Sequence, residues 1–340
     1  MLKKVKTEEA VGLVIGHDMT KIVPGEFHGP RFRRGHIIKH EDIPELLSMG
    51  KEHIYVIEEE EDWVHEEEAA LRIGKAISGA NLQLGEPKQG RVNIKSTVDG
   101  VLKVNKALLY EINSIEDIAL ATWHNNTVCH PGTIIAGTKV IPLYTTEDKM
   151  KTLENLCEKR GKVIEVLPLR NKKVGIVITG SEVFKGRIKD KFSDVMHKKV
   201  ETLGSTVHHQ VIVPDDEDII GQALVDMKNK GCEVIILCGG LSVDPDDVSV
   251  EGVQKSGAMI ISYGFPVMPG AMVLYAELGD IPILGAPGAV IFNRTTIIDV
   301  MLPRLLAGDK ITKEDIIELG HGGLCLECET CLYPICPFGK

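Results

Sequence analysis

Aromatic residues are scarce in this chain: Phe, Tyr and Trp make up 4% of 340 residues, while apolar residues as a whole reach 43%. That excludes aromatic-centred cores and leaves Val, Ile, Leu and Ala to fill the interior, which suits parallel α/β packing. Basic surplus is lacking too. With a formal net charge of −10, no broad positive face is available to displace counterions from a nucleic-acid backbone, and no nucleic-acid polymer is expected as a partner. Long apolar runs are missing: none approaches the roughly 18 residues that cross a bilayer, and Met1-Leu-Lys-Lys4 has no secretion-signal core. The expectation is a cytoplasmic protein with no membrane partner, which must hold any anionic ligand locally. Its length suggests two or three domains.

What is present is organised in stretches. Residues 1–57 mix short apolar segments with loops and read as a small mixed α/β unit. From Glu58 to Glu68 eight of eleven residues are acidic, which reads as a solvated loop leading into a helix through Ala69, Ile73 and Ile77, its first turn favoured by carboxylates. Residues 58–170 are expected to form that helix plus a β-rich domain. Asp99-Gly100 between Val92-Asn-Ile-Lys95 and Val101-Leu-Lys-Val104 suggests a hairpin, and Thr146 to Arg160 a helix ended by Gly161. From Lys172 onward, strand-like runs at 173–178, 206–213, 233–238, 258–261, 272–277 and 281–285 are separated by helical patterns near 191–203, 217–230 and 246–256. A last helix is expected over 289–306. Such alternation predicts βαβ units and a largely parallel sheet, covered on both faces, over residues 171–308.

Three of those runs end in glycine turns: Thr179-Gly180-Ser181-Glu182, Gly239-Gly240-Leu241-Ser242 and Gly285-Ala286-Pro287-Gly288. Parallel strand ends converge on one rim, and glycine lets backbone N–H groups approach an anion without an intervening Cβ. Carboxylates stand beside two of the turns: Glu182, then Asp244, Asp246 and Asp247, with Asp215 and Asp216 after Pro214 at another strand end. Singly, each acid reads as a helix cap. Together they suit Mg²⁺ bridging protein carboxylates and a substrate phosphate.

In their order, Thr179-Gly-Ser-Glu182, Pro214-Asp-Asp216, Gly239-Gly-Leu-Ser-Val-Asp-Pro-Asp-Asp247, Pro269-Gly270 and Gly285-Ala-Pro-Gly288 resemble the molybdopterin-binding domain. That domain is shared by molybdopterin adenylyltransferases and molybdenum insertases (the MoaB, Mog and MoeA type), and the similarity spans about residues 172–308. The resemblance implies a three-layer α/β/α fold and a pterin phosphate on the glycine turns, held by Thr179, Gly180, Ser181, Glu182, Gly239, Gly240, Ser242, Pro287 and Gly288. It also implies catalytic roles for Asp247 and Asp215, with Mg²⁺ and ATP or an adenylate. Relatives of this kind usually associate, so a homo-oligomer is expected, with a molybdoenzyme or another cofactor-synthesis protein as a further partner. The first half is similar to sequences joined to this domain in insertase-like bacterial proteins, through Gly16-His-Asp-Met-Thr20, Pro24-Gly-Glu-Phe27 and Phe32-Arg-Arg-Gly-His36. Arg31, Arg33 and Arg34 read either as solvated or as reaching a bound anion across a cleft.

The chain departs from the insertase pattern where Asp244 replaces a Gly, Ala271 replaces a Lys and Pro287-Gly-Ala-Val290 replaces Pro-Gly-Asn-Pro. Losing a Lys beside a phosphate removes a point charge and a donor. Three functions stay open: molybdopterin binding in cofactor synthesis or delivery with adenylate-dependent molybdenum insertion, a non-catalytic cofactor carrier or sensor, and a nucleotide-processing enzyme of the same fold.

The eight cysteines divide in two. Cys129, Cys157, Cys232 and Cys238 sit among apolar or loop residues and read as reduced, partly buried thiols. Cys325, Cys328, Cys331 and Cys336 follow C-x2-C-x2-C-x4-C in a Cys-rich tail, residues 309–340. Thiolates at that spacing suit Zn²⁺ or an iron–sulfur cluster, with an unliganded, flexible tail as the other reading; His321 is a spare ligand candidate or a plain loop histidine after Gly320.

Overall fold

Alternate side chains along the central C-terminal strands point into two separate cores, so those strands must be apolar almost throughout. The computed structural model describes residues 2–23, 27–57 and 62–339; Pro24-Gly-Glu26 and Glu58 to Glu61, singled out above, lie outside them. The strands are β1 (Lys173–Thr179), β2 (Thr206–Val213), β3 (Val234–Cys238), β4 (Met259–Tyr263), β5 (Leu274–Leu278) and β6 (Ile281–Ala286), in the order β2-β1-β3-β6-β5-β4. Pairing is parallel from β2 through β1 and β3 to β6, and antiparallel for β6–β5 and β5–β4. This is the largely parallel sheet expected.

Helices α1 (Ser181–Phe184), α2 (Phe192–Thr202), α3 (Glu217–Asn229), α4 (Ser249–Lys255), α5 (Ile297–Ala307) and α6 (Lys313–Glu318) complete the half. Ile176, Ile178, Val234 and Ile236 pack with Met196 and Val200 of α2 and Ile297, Ile298 and Met301 of α5. Their neighbours Val177, Ile235 and Leu237 face the other way, against Ile220, Leu224 and Met227 of α3 and Val253 of α4. The result is a three-layer α/β/α sandwich. Ile311, Ile316, Leu319 and Phe338 belong to the first of these cores, so the chain after α5 is packed onto the sandwich.

The last helix differs from the expected 289–306 span. A 3₁₀ turn (Gly288–Ile291) comes first, and α5 begins only after Thr296, whose hydroxyl accepts from Ile298 N–H while Asp299 accepts from Thr296 N–H. This reciprocal cap fixes the start. The buried Arg304 near its end pairs with Asp309 at 2.6 Å, and Lys103 of the preceding unit reaches the same carboxylate at 2.8 Å.

In the middle region a four-stranded antiparallel sheet runs 82–84, 91–96, 134–140, 118–122, and a three-stranded sheet runs 128–129, 100–104, 164–168. Strands 91–96 and 100–104 thus lie in different sheets, and Asp99-Gly100 does not close a hairpin. Gly100 is needed for another reason: a Cβ there would sit 2.4 Å from the carbonyl oxygen of Leu167 on the neighbouring strand. Helices Glu66–Ile77 and Glu147–Arg160 cover this core, joined by Arg72, which forks to Glu147 and Glu154 at 2.7–2.9 Å. The first unit pairs Leu2–Lys6 with His53–Ile57 and Met19–Val23 with Phe27–Phe32, around Ile15, Phe32, Leu46 and Ile54. Among the described residues no helix is long and apolar enough to cross a membrane.

Candidate functional site at the carboxyl rim of the sheet

The register places the three glycine turns side by side. Ile178 pairs with Cys238, and Cys238 pairs with Ala286, so Gly180, Gly239-Gly240 and Pro287-Gly288 leave three adjacent parallel strands at the same end. Thr179 pairs with Val213 on the outer side, which brings Pro214-Asp215 to the same rim.

Close packing shapes the central turn. Gly239 and Gly240 have φ of +94° and +60°. A Cβ on Gly239 would lie 2.5 Å from Thr179 O, and one on Gly240 would lie 2.5 Å from Ser249 Oγ. No L side chain fits there without displacing backbone or a buried hydroxyl. The buried Ser249 donates to Gly239 O at 2.9 Å and lies 3.3 Å from Thr179 Oγ1, knitting α4 to two of the turns. Tyr263 donates to Leu241 O at 2.9 Å. Burial, followed by the nearby carboxylates of Asp247 and Glu251, pushes its phenol pKa up. Ser249 and Tyr263 were not picked out from sequence; an isolated Ser or Tyr carries no signal until α4 and β4 are placed.

The turns leave donors unused. Among the described residues no protein acceptor receives the N–H of Gly240, Leu241, Gly288 or Ala289. Around Gly288 nothing lies within 4 Å of where a Cβ would be, so the third turn faces open space. An anion seated on this shelf would meet N–H groups from two turns.

The acidic residues have two kinds of role. Asp216 caps α3, accepting from Asp218 and Ile219 N–H at 3.1 and 3.0 Å. Asp215 Oδ2 accepts Ser181 N–H at 2.7 Å while Ser181 Oγ accepts Asp215 N–H at 3.2 Å, binding the first turn to the second strand's end. Asp247 Oδ2 accepts Ser242 N–H at 3.0 Å and closes the Gly239–Ser242 turn. Both carboxylates thus position the turns and each keeps Oδ1 outside these bonds. Glu182, Asp244 and Asp246 are exposed, and among the described residues no three His, Cys, Asp or Glu side chains are grouped to hold one ion.

Sequence reasoning also passed over Lys185, Arg187, Lys189 and Lys191. All are exposed and follow directly from the first glycine turn. Four basic residues in seven, within a net-acidic chain, was the available signal. Arg31, by contrast, is committed to Glu45 through two 2.8 Å hydrogen bonds.

The comparisons with known proteins bear on this half. Residues 175–307 match the family described as "Probable molybdopterin binding domain", and residues 4–58 match a domain of unknown function. Among curated relatives, a CinA-like protein of Mycobacterium tuberculosis is 35% identical over 83 residues, 24% of this chain and 19% of that protein. A CinA-like protein of Amoebophilus asiaticus is 30% identical over 80 residues, again 24% and 19%. The chain therefore spans about a fifth of the length of these relatives. A solved structure titled as the molybdopterin biosynthesis enzyme MoaB of Thermus thermophilus is 17% identical, covers 41% of this chain and 98% of its own, and superposes with a TM-score of 0.32.

The cysteines divide as their surroundings dictate. Cys129, Cys157, Cys232 and Cys238 are buried, and burial raises each thiol pKa. The other four line a single cavity of about 390 Å³ beside Pro269 and Arg294. Cys331 there is drawn below the usual thiol range, first by the Thr295 hydroxyl 3.1 Å away and then by Tyr333 N–H. His321 is exposed and does not line that cavity.

Proposed function

We propose that the protein binds molybdopterin at the carboxyl rim of its six-stranded sheet and acts in molybdenum-cofactor synthesis or delivery in the cytoplasm. The observation that carries this reading is the set of unpartnered N–H groups on two adjacent glycine turns, within a segment of the molybdopterin-binding domain family. The phosphate of the pterin would rest on Gly240, Leu241 and Gly288, with Thr179 to Glu182 and Ser242 at its sides. Lys185 to Lys191 would offset its charge. Native mass spectrometry of the purified full chain tests this: a retained pterin monophosphate is expected, and a protein that neither retains nor rebinds one contradicts it.

The finer reading is adenylate-dependent chemistry. Asp215 and Asp247, each with Oδ1 outside the turn-closing bonds, would take Mg²⁺ together with the phosphates of ATP or of an adenylate, and molybdenum insertion would follow cleavage of that adenylate. Asp247→Ala is expected to lower turnover at least tenfold; release of pyrophosphate or AMP at the wild-type rate removes Asp247 from the chemistry. A carrier or sensor role is favoured by Asp244 and Ala271, which leave the second turn without the Gly, and the position after Pro269-Gly270 without the Lys, of insertases. A carrier would bind the pterin and release neither product. Association into a homo-oligomer would be compatible with either role.

A further inference from the structure

The last sixteen residues hold four thiols, yet the segment carrying them is not a loose end. Gly339 N–H donates to Gly322 O at 3.0 Å and closes residues 322–339 into a loop. One end is clipped to the sandwich by Met268 N–H to Gly323 O (2.7 Å) and Cys325 N–H to Met268 O (2.8 Å). At the other end Phe338 is buried in the sandwich core, and Tyr333 donates from its hydroxyl to Asp299 O at 2.9 Å. Compact loops anchored in this way are frequently functional.

We propose that Cys325, Cys328, Cys331 and Cys336 together hold one iron–sulfur cluster in the cavity they line. All four are free thiols, and they share a cavity of about 390 Å³ although they come from twelve residues of irregular backbone. Among the described residues no three of them are grouped to hold a single ion, so the thiols must move in from the cavity wall to bind any metal centre. An inorganic core of iron and sulfide spans a wider ring of thiolates, each bound to its own iron. The spacing agrees: C-x2-C-x2-C is the run that ligates such clusters, and here the fourth cysteine, after four residues, borders the same cavity. The wall brings one cation, Arg294, and one carboxylate, Glu327, so four ionised thiolates need the positive iron core to be neutralised. On assembly each thiol gives its proton to solvent and its sulfur to one iron, with no change in sulfur oxidation state.

The loop also touches the rim. Pro269 borders the cysteine cavity, and a Cβ on the following Gly270 would lie 3.3 Å from the Pro287 ring and 2.9 Å from Ile297 Cγ2. Filling the cavity would therefore brace the turn that packs on Pro287-Gly288. The cluster itself does not depend on pterin binding.

Anaerobic reconstitution of the full chain with sulfide and equal amounts of ferrous and ferric iron, in the absence of any pterin, tests the proposal. Iron and acid-labile sulfide are expected in equal amounts, with broad visible absorption bleached by dithionite. Cys325→Ser/Cys328→Ser is expected to lose at least nine-tenths of that absorption. Because Cys328 is exposed, Cys328→Ser alone should fold normally by far-UV circular dichroism and show an altered iron site by Mössbauer spectroscopy. Uptake of one zinc per chain in place of iron, uptake of no metal, or an unchanged cluster in the double variant would each overturn it.

Discussion

Replacing Gly240 by alanine should damage the central turn, whereas the same change at Gly288 should not. At Gly240 the backbone is left-handed (φ +60°) and the new Cβ would lie 2.5 Å from Ser249 Oγ and 3.0 Å from Thr179 Oγ1. Left-handed backbone costs a non-glycine residue about 1–2 kcal/mol. Moving Ser249 breaks its buried hydrogen bond to Gly239 O, a loss of about 1–2 kcal/mol. The sum is about 2–4 kcal/mol. With a urea m-value of about 2–3 kcal/mol/M, that lowers the midpoint by roughly 1 M. At Gly288 the Cβ meets nothing within 4 Å and φ is not positive, so the expected change is below about 0.5 kcal/mol. Both tryptophans, Trp63 and Trp123, lie outside the sandwich, so far-UV circular dichroism or hydrogen exchange must follow the transition. Equal stability of Gly240→Ala and wild type, or equal damage at both positions, would refute this account of the turn.

Arg304→Met should destabilise the sandwich by about 1–3 kcal/mol, because it removes the closest partner of the nearly buried Asp309 and leaves Lys103 to hold that carboxylate; a loss under about 0.5 kcal/mol in urea unfolding would show the pair to be dispensable. His65 titrates low, at about 4, chiefly through burial and then through the nearby Arg34. Its folded pKa lies below its unfolded value, so its contribution is present above about pH 6.5 and is lost as pH falls towards 4. Wild type should therefore lose about 2.5 kcal/mol more than His65→Asn between pH 7.5 and 4.5, read from Trp63 fluorescence; parallel pH profiles would contradict the assignment.

Much of the sandwich was legible because the central strands Lys173–Thr179, Val234–Cys238 and Ile281–Ala286 are almost wholly apolar and end in glycine turns, a pattern that suits a sheet covered on both faces. The rim followed from parallel pairing, yet the bonds within it did not. Asp247 and Asp215 looked like ligands by position, and only the coordinates show each closing a turn through one oxygen. Ser249 is invisible in sequence because its partners, Gly239 and Thr179, lie 10 and 70 residues away. Two misreadings had local causes. Gly100 serves the close approach of a neighbouring strand, although after Asp it reads as a turn. The start of α5 was in fact written in Thr296-Ile-Ile-Asp299, a reciprocal cap, but the apolar run from Ala289 onward masked it.

The central claim is that adjacent glycine turns present their N–H groups to the phosphate of a pterin. Isothermal titration of the wild type and Gly288→Asp with metal-free molybdopterin tests it most directly, since a carboxylate at that open position should occupy or repel the anion while leaving the fold intact. The account predicts at least tenfold weaker binding, about 1.4 kcal/mol, with unchanged unfolding. Equal affinity in the two proteins would place the pterin elsewhere and contradict it.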